Sequence, residues 1–211
     1  MRWPVALLVV CLGAGPGVLQ ASQARHYDFK VFLDDREIGY HRFSVVPNAS
    51  RTYVTSEAHF DVKIWFVTVY QYRHTSNEVW ESGCLRAIDA STDDNGTQLS
   101  VRGQRRDDRL SLQTSSGSQR VPGCVRTFAY WDVTLLDRPR LLNAQTGEMV
   151  PVEVKRLDDA PIEIRGESVL AQRYRIDNAE FRIDLWYSRD RRWLALESTT
   201  EGGARLRYLA Q

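Results

Sequence analysis

The chain has 211 residues, of which 43% are apolar and 26% charged, a balance that suits a folded protein and excludes both a disordered tail and a multi-pass membrane protein. Its 28 Lys and Arg nearly cancel 27 Asp and Glu. The cationic excess needed to neutralise many phosphates is missing, so nucleic acid is not an expected partner.

Residues 1–24 carry one Arg, an apolar stretch from Val5 to Leu12, Gly/Pro breakers from Gly13 to Gly17, and a small-x-small pair at Ser22 and Ala24. This order is the pattern of a signal peptide cleaved before Arg25. The apolar stretch is too short to span a bilayer core of about 30 Å, so an integral membrane protein is not expected. Cys11 sits inside that stretch behind Val10, where lipidation would call for a small residue. The expected product is a single domain over 25–211, periplasmic or secreted. Export places Cys84 and Cys124 in an oxidising compartment, where they are expected to form a disulfide. The sequence contains no Cys-x-x-Cys, and no His lies close in sequence to either cysteine, so a redox or thiol-nucleophile role has no local support.

From Tyr27 onward the dominant signal has period two, the mark of a half-buried strand. Tyr27, Phe29, Val31 and Leu33 alternate with Asp28 and Lys30, then Asp34–Glu37 supplies a turn and Ile38 restarts the pattern. Further strands are expected through Tyr40–Val45, from Arg51 to about Val62, and from Val67 to Ser82. The Asn95-Gly96 pair separates Leu85–Thr92 from Thr97–Arg106 and demands a tight hairpin. Asp107-Asp108 leads into Arg109–Gln113, and Ser/Gly-rich Thr114–Gly123 reads as a loop or weak edge. Tyr130–Asn143 is the one helix candidate, of a turn or two at most, because Pro139 interrupts its apolar positions. Strands resume at Val150–Leu157, Ile162–Ile164, Val169–Asp177, Glu180–Tyr187, Trp193–Thr199 and Arg205–Leu209. Tyr174, Ile176, Phe181, Ile183, Leu185, Leu194, Leu196, Leu206 and Tyr208 are expected on an inner face, with Arg173, Arg175, Arg182, Asp184, Glu197, Arg205 and Arg207 outside. The fold class that follows is all-β, an antiparallel meander forming an open or half barrel.

Gly-x-Ser-x-Gly, P-loop, His-Glu-x-x-His and dinucleotide signatures are missing, and no cofactor or metal is expected. His41, His59 and His74 fall on three successive strands, so pairing of neighbouring strands can bring two of them together. Aromatic residues are the more informative feature. Ile64-Trp65-Phe66-Val67 is apolar on both parities, as in a strand that lines a cavity on one face and packs outside with the other. Trp65, Phe66, Tyr70, Tyr72, Phe128, Tyr130, Trp131 and Trp186 are therefore the candidate ligand-binding residues.

The segments YDFKVFLDDREIGYHRF (27–43), EVWESGCLRAIDASTDDNG (78–96), AYWD (129–132), LLNAQTGEMVPVEV (141–154) and IDLWYSRDRRWLALES (183–198) resemble, in order, the blocks of a family of bacterial exported proteins of unknown function. The resemblance spans nearly all of the expected mature chain. It implies an antiparallel sheet curled into an open barrel, broadly similar to periplasmic lipoprotein carriers and envelope lipid-binding folds. The matching positions are Gly39, His41, Trp80, Cys84, Asn95, Gly96, Tyr130, Trp131, Trp186 and Tyr187. The expected function is binding or carriage of an apolar or lipid-like small molecule in the cell envelope, without catalysis. Two alternatives stay open: a module that binds an envelope protein through an Arg/aromatic sheet face, and a hydrolase with His41 or His59 as base beside Ser44, Ser56 or Asp61.

Overall fold

The computed structural model describes residues 23–65, 67–200 and 202–211, with the backbone alone at Ile64. Most of the expected leader, Cys11 and the candidate residue Phe66 lie outside the described residues.

The protein is all-β. Eight strands follow one another from the amino-terminal side: β1 (Arg25–Leu33), β2 (Arg36–Asn48), β3 (Arg51–Ile64), β4 (Val67–Glu81), β5 (Cys84–Asp94), β6 (Thr97–Arg106), β7 (Arg109–Thr114) and β8 (Gly117–Pro122). After an intervening segment come β9 (Arg140–Leu142), β10 (Met149–Pro151), β11 (Glu153–Arg156), β12 (Ala160–Ile164), β13 (Glu167–Asp177), β14 (Arg182–Tyr187), β15 (Trp193–Thr199) and β16 (Arg205–Ala210). Fourteen of these form one antiparallel sheet in the order β11-β13-β14-β15-β16-β1-β2-β3-β4-β5-β6-β7-β8, with β12 also on β13, while β9 and β10 make a separate hairpin. β8 and β11 do not pair, so the sheet is not closed. No described helix is long and apolar enough to cross a membrane.

Period-two alternation builds this sheet. In β1, Tyr27, Phe29 and Val31 are buried while Asp28 and Lys30 are exposed. In β4 the buried parity is Tyr72, His74, Ser76, Glu78 and Trp80, an inward row with polar groups at its middle. The Asn95-Gly96 hairpin takes positive φ at both residues, and Asp93 Oδ1 accepts from the Gly96 amide at 2.8 Å. At Gly39, with φ of +152°, a Cβ would lie 1.8 Å from the His59 carbonyl oxygen. Glycine is required there because the backbones of β2 and β3 approach too closely for a side chain.

Residues 123–152 form a strap that crosses the concave face between the two open edges. The Cys84–Cys124 disulfide, with Cα atoms 5.1 Å apart, ties its start to β5. The Leu85 amide donates to the Val125 carbonyl at 2.9 Å, and the Leu142 amide to that of Arg126 at 2.7 Å. Tyr187 Oη donates to the Tyr130 carbonyl at 2.9 Å, and Trp131 meets Trp80 edge-on at 5.4 Å. The strap thus covers a core centred on Phe29 and Trp193, whose rings lie 4.1 Å apart.

Several expectations change. The helix candidate Tyr130–Asn143 reduces to a 3-10 turn, Val133–Asp137, opened by Asp132 accepting from the Thr134 amide and ended before Pro139. Of the two readings of Thr114–Gly123 the edge holds, as strand β8 at one end of the sheet. The expected strand Val150–Leu157 is split at Val152, whose amide turns to the Pro139 carbonyl at 2.9 Å. Ile64–Val67 is not a two-sided strand. The chain reverses there, with Trp65 at φ +57° and 89% exposed. Leu194 faces outward, because a register shift between β14 and β15 interrupts the parity and sends Leu194 and Ala195 to the outer face between inward Trp193 and Leu196.

Candidate functional site

The strap does not fill the concavity. A cavity of about 300 Å3 remains between the inner face of β2–β4 and the strap, bounded laterally by Leu196, Leu206 and Tyr208 of β15 and β16. Phe128, Tyr130 and Trp131 form its aromatic roof. Its floor is set by register: His41 pairs with Ala58, Ala58 with His74, and His74 with Thr92, while Ser56 pairs with Ser76 and Ser76 with Ala90. Small Ala and Ser side chains between the imidazoles leave the space that larger residues would close.

The floor is hydrogen-bonded across strands. His41 Nε2 lies 2.8 Å from Ser56 Oγ, and His74 Nδ1 lies 2.8 Å from Thr92 Oγ1. Glu78 accepts from Trp80 Nε1 at 2.8 Å and from Ser76 Oγ at 3.4 Å. The His41 ring stacks on Phe43 with centroids 4.2 Å apart, and part of the residue stays open to the cavity. Its Nδ1 is out of solvent and has no partner.

Burial dominates the electrostatics. It pushes the Glu78 carboxyl up to about 7, against the opposing pull of hydrogen bonds from Trp80, Thr127 and Ser76. It pushes His41 down to about 3, with the charge of a protonated His74 adding to the effect, and His74 down to about 4. At neutral pH both imidazoles are therefore uncharged, each offering one donor and one acceptor nitrogen. The His41–Ser56 distance is that of a base and its nucleophile. Even so, a ring so reluctant to take a proton is a poor base, and His41 Nδ1 lacks the orienting acceptor that a catalytic triad supplies. No group of three or more His, Cys, Asp or Glu among the described residues is placed to hold a metal ion.

Of the candidate aromatics, Tyr72, Phe128, Tyr130 and Trp131 line the cavity. Tyr70 packs at the periphery of the core and donates to Asp94 Oδ1 at 2.7 Å instead. Trp65 stands on the β3–β4 turn, away from the cavity. Trp186 lies on the outer face with Ala171, Leu194 and Ala195, its ring under the Arg173 guanidinium at 5.2 Å. His41 and His74 share the floor, whereas His59 sits on the opposite parity beside Asp61 at 3.3 Å. Ser76 and Glu78 were not among the candidates. Their signal was available, since Tyr72, His74, Ser76, Glu78 and Trp80 form one parity bracketed by aromatic residues.

An open antiparallel sheet wrapped around a strapped cavity defines a β-barrel-like protein. The chain is similar to one such solved structure, a beta-barrel-like protein of domain of unknown function DUF1849 from Brucella abortus, with a TM-score of 0.63 and 11% identity over 88% of this chain and 94% of that one. At that identity the likeness concerns the fold alone. The chain belongs to the family described as a domain of unknown function, DUF6134, whose family model matches residues 29–211. No curated protein matches the sequence.

Proposed function

We propose that this is an exported cell-envelope protein, released from the leader 1–24, that holds a small and mostly apolar molecule in the strapped cavity without acting on it chemically. The observation that carries this reading is a cavity with an aromatic roof, apolar side walls and a short row of hydrogen-bonding groups on its floor. Ligand sites combine a greasy lining with a few placed polar groups, and their volumes start at about 300 Å3. The Cys84–Cys124 bond fits an oxidising compartment. Less supports a partner-binding outer face: Arg173 and Arg175 both bond the Asp184 carboxylate, so these charges are engaged within the sheet.

Asn143, Ala144 and Gln145 line the cavity from the strap and are half-buried. The protein stripped of bound molecules should give a saturable fluorescence rise with N-phenyl-1-naphthylamine. Ala144→Trp should abolish that rise while cooperative unfolding is retained. No saturable rise in the unaltered protein, or an unchanged rise in the variant, would overturn the reading.

A further inference from the structure

We infer that the turn between β3 and β4 is a membrane-docking finger, whose Trp65, Val67 and Val69 enter the headgroup region of a lipid bilayer. This goes beyond the proposed function, since it concerns the outside of the protein and requires nothing of the cavity.

Register sets the finger apart. The ladder from β2 to β3 stops at Gly39–Phe60, and that from β4 to β5 at Tyr72–Asp94. Beyond them β3 and β4 pair with each other, Val62 with Tyr70, Lys63 with Thr68 and Ile64 with Val67. The four residues Asp61–Ile64, at about 3.3 Å each, carry the tip about 13 Å past Phe60. That tip is apolar: Trp65 is 89% exposed, Val67 65% and Val69 46%. Residues 62–70 hold no acid and one base, Lys63, in a chain that is 26% charged.

Backbone conformation is a second, independent observation. Trp65 takes φ +57°, a region that bulky side chains avoid. The neighbouring hairpins place Asp34, Ala49, Ser82, Asn95 and Asp107 at positive φ, all of them small or polar residues. A large ring turned to solvent adds little packing to the fold, and strain of this kind collects where a side chain is presented to a ligand or a surface.

The size of the tip selects its partner. A stable protein interface buries about 800 Å2 on each side. A two-stranded ribbon ending in one large ring, itself worth about 150–250 Å2, falls short of that. A bilayer asks for no complementary shape. Trp and Lys settle at the water–lipid boundary, the ring among the headgroups and the ammonium reaching back toward water. Arg36, whose guanidinium donates to the Lys63 carbonyl at 2.5 Å, adds a second cation at the neck, while Asp61 is paired with Arg73 at 3.0 Å. The unpaired outer backbone groups of the ribbon limit its entry to that depth, because hydrocarbon offers them no partner.

Flotation of the exported form with vesicles of phosphatidylethanolamine and phosphatidylglycerol in equal amounts tests this. The unaltered protein should float with the vesicles, and Trp65→Phe should retain most of that binding. Trp65→Gly should lose about tenfold or more in affinity. Its urea midpoint should stay the same or rise, because glycine takes φ +57° without strain. The fluorescence that Trp65→Phe removes should be quenched more by nitroxide labels at the headgroups than by labels at the acyl methyl ends. No flotation of the unaltered protein, undiminished flotation of Trp65→Gly, or stronger quenching by the deep label would overturn the inference. So would a dimer in vesicle-free solution that Trp65→Gly dissolves, which would make a second copy of the chain the occupant.

Discussion

Glu78 and the two inner histidines pull stability in opposite directions as pH changes, because burial favours the neutral form of each. Between its ordinary value of 4.5 and about 7, folded Glu78 keeps a proton that the unfolded chain has lost, so its contribution falls as pH rises. Below 6.5 the unfolded histidines take up protons that folded His41 and His74 refuse, so their contribution rises with pH. Two protons oppose one, and stability should climb by about 1.4 kcal/mol per pH unit between pH 4.5 and 6.5, then decline slightly toward pH 7. Glu78→Gln should steepen the climb to about 2.8 kcal/mol per unit and erase the decline. Urea midpoints from pH 4.5 to 8 measure both, and an identical slope in the variant would contradict a titrating Glu78. The same residues show where the sequence was hard to read. A Glu at a core parity looks like a solvated strand face until Trp80, Ser76 and Thr127 are seen around it, and that grouping depends on strand register and on the strap.

The strap is the element on which the site depends. Its aromatic run Phe128–Trp131 has neither strand nor helix period, so composition marks it as apolar but not as a cover over the sheet. The hairpins were legible because alternation and turn residues are local signals, and Thr97–Arg106 has the bounds its alternation implies. The outward turn of Leu194 and the reversal at Trp65 were not, because a single shifted residue or one positive φ resets the parity that the reading relies on. The disulfide closes a separation of 40 residues, and loop-closure entropy assigns it about 3 to 4 kcal/mol. Replacing both Cys84 and Cys124 by Ser should lower the urea-derived stability by that amount. It should also free the start of the strap, making the bonds after Arg126 and Arg140 sensitive to trypsin under native conditions. If stability dropped and those bonds stayed protected, the remaining contacts of Tyr130 and Trp131 would suffice to hold the strap.

Across the whole molecule the sheet has a centre and two unpaired margins. β16, β1 and β2 lie in the middle of the strand order, while β8 and β11 end it. Local opening is cheapest where one flank has no partner. Amides of β1 and β16 should therefore exchange slowest with deuterium, and those of β7, β8 and β11 fastest. The reverse order would mean that the margins are covered by something other than the strap. No local pattern marks this centre, because period two identifies strands without naming neighbours, and the pairing of Phe29 with Ala210 joins residues far apart in the chain. That pairing has a consequence for biosynthesis. A polypeptide emerging amino-terminus first presents Arg25–Leu33 with one flank satisfied by β2 and the other bare until residues 206–210 have followed. A segment made early is thus zipped to one made far later, and a product halted before residues 206–210 leaves the middle of its own wall without its seam.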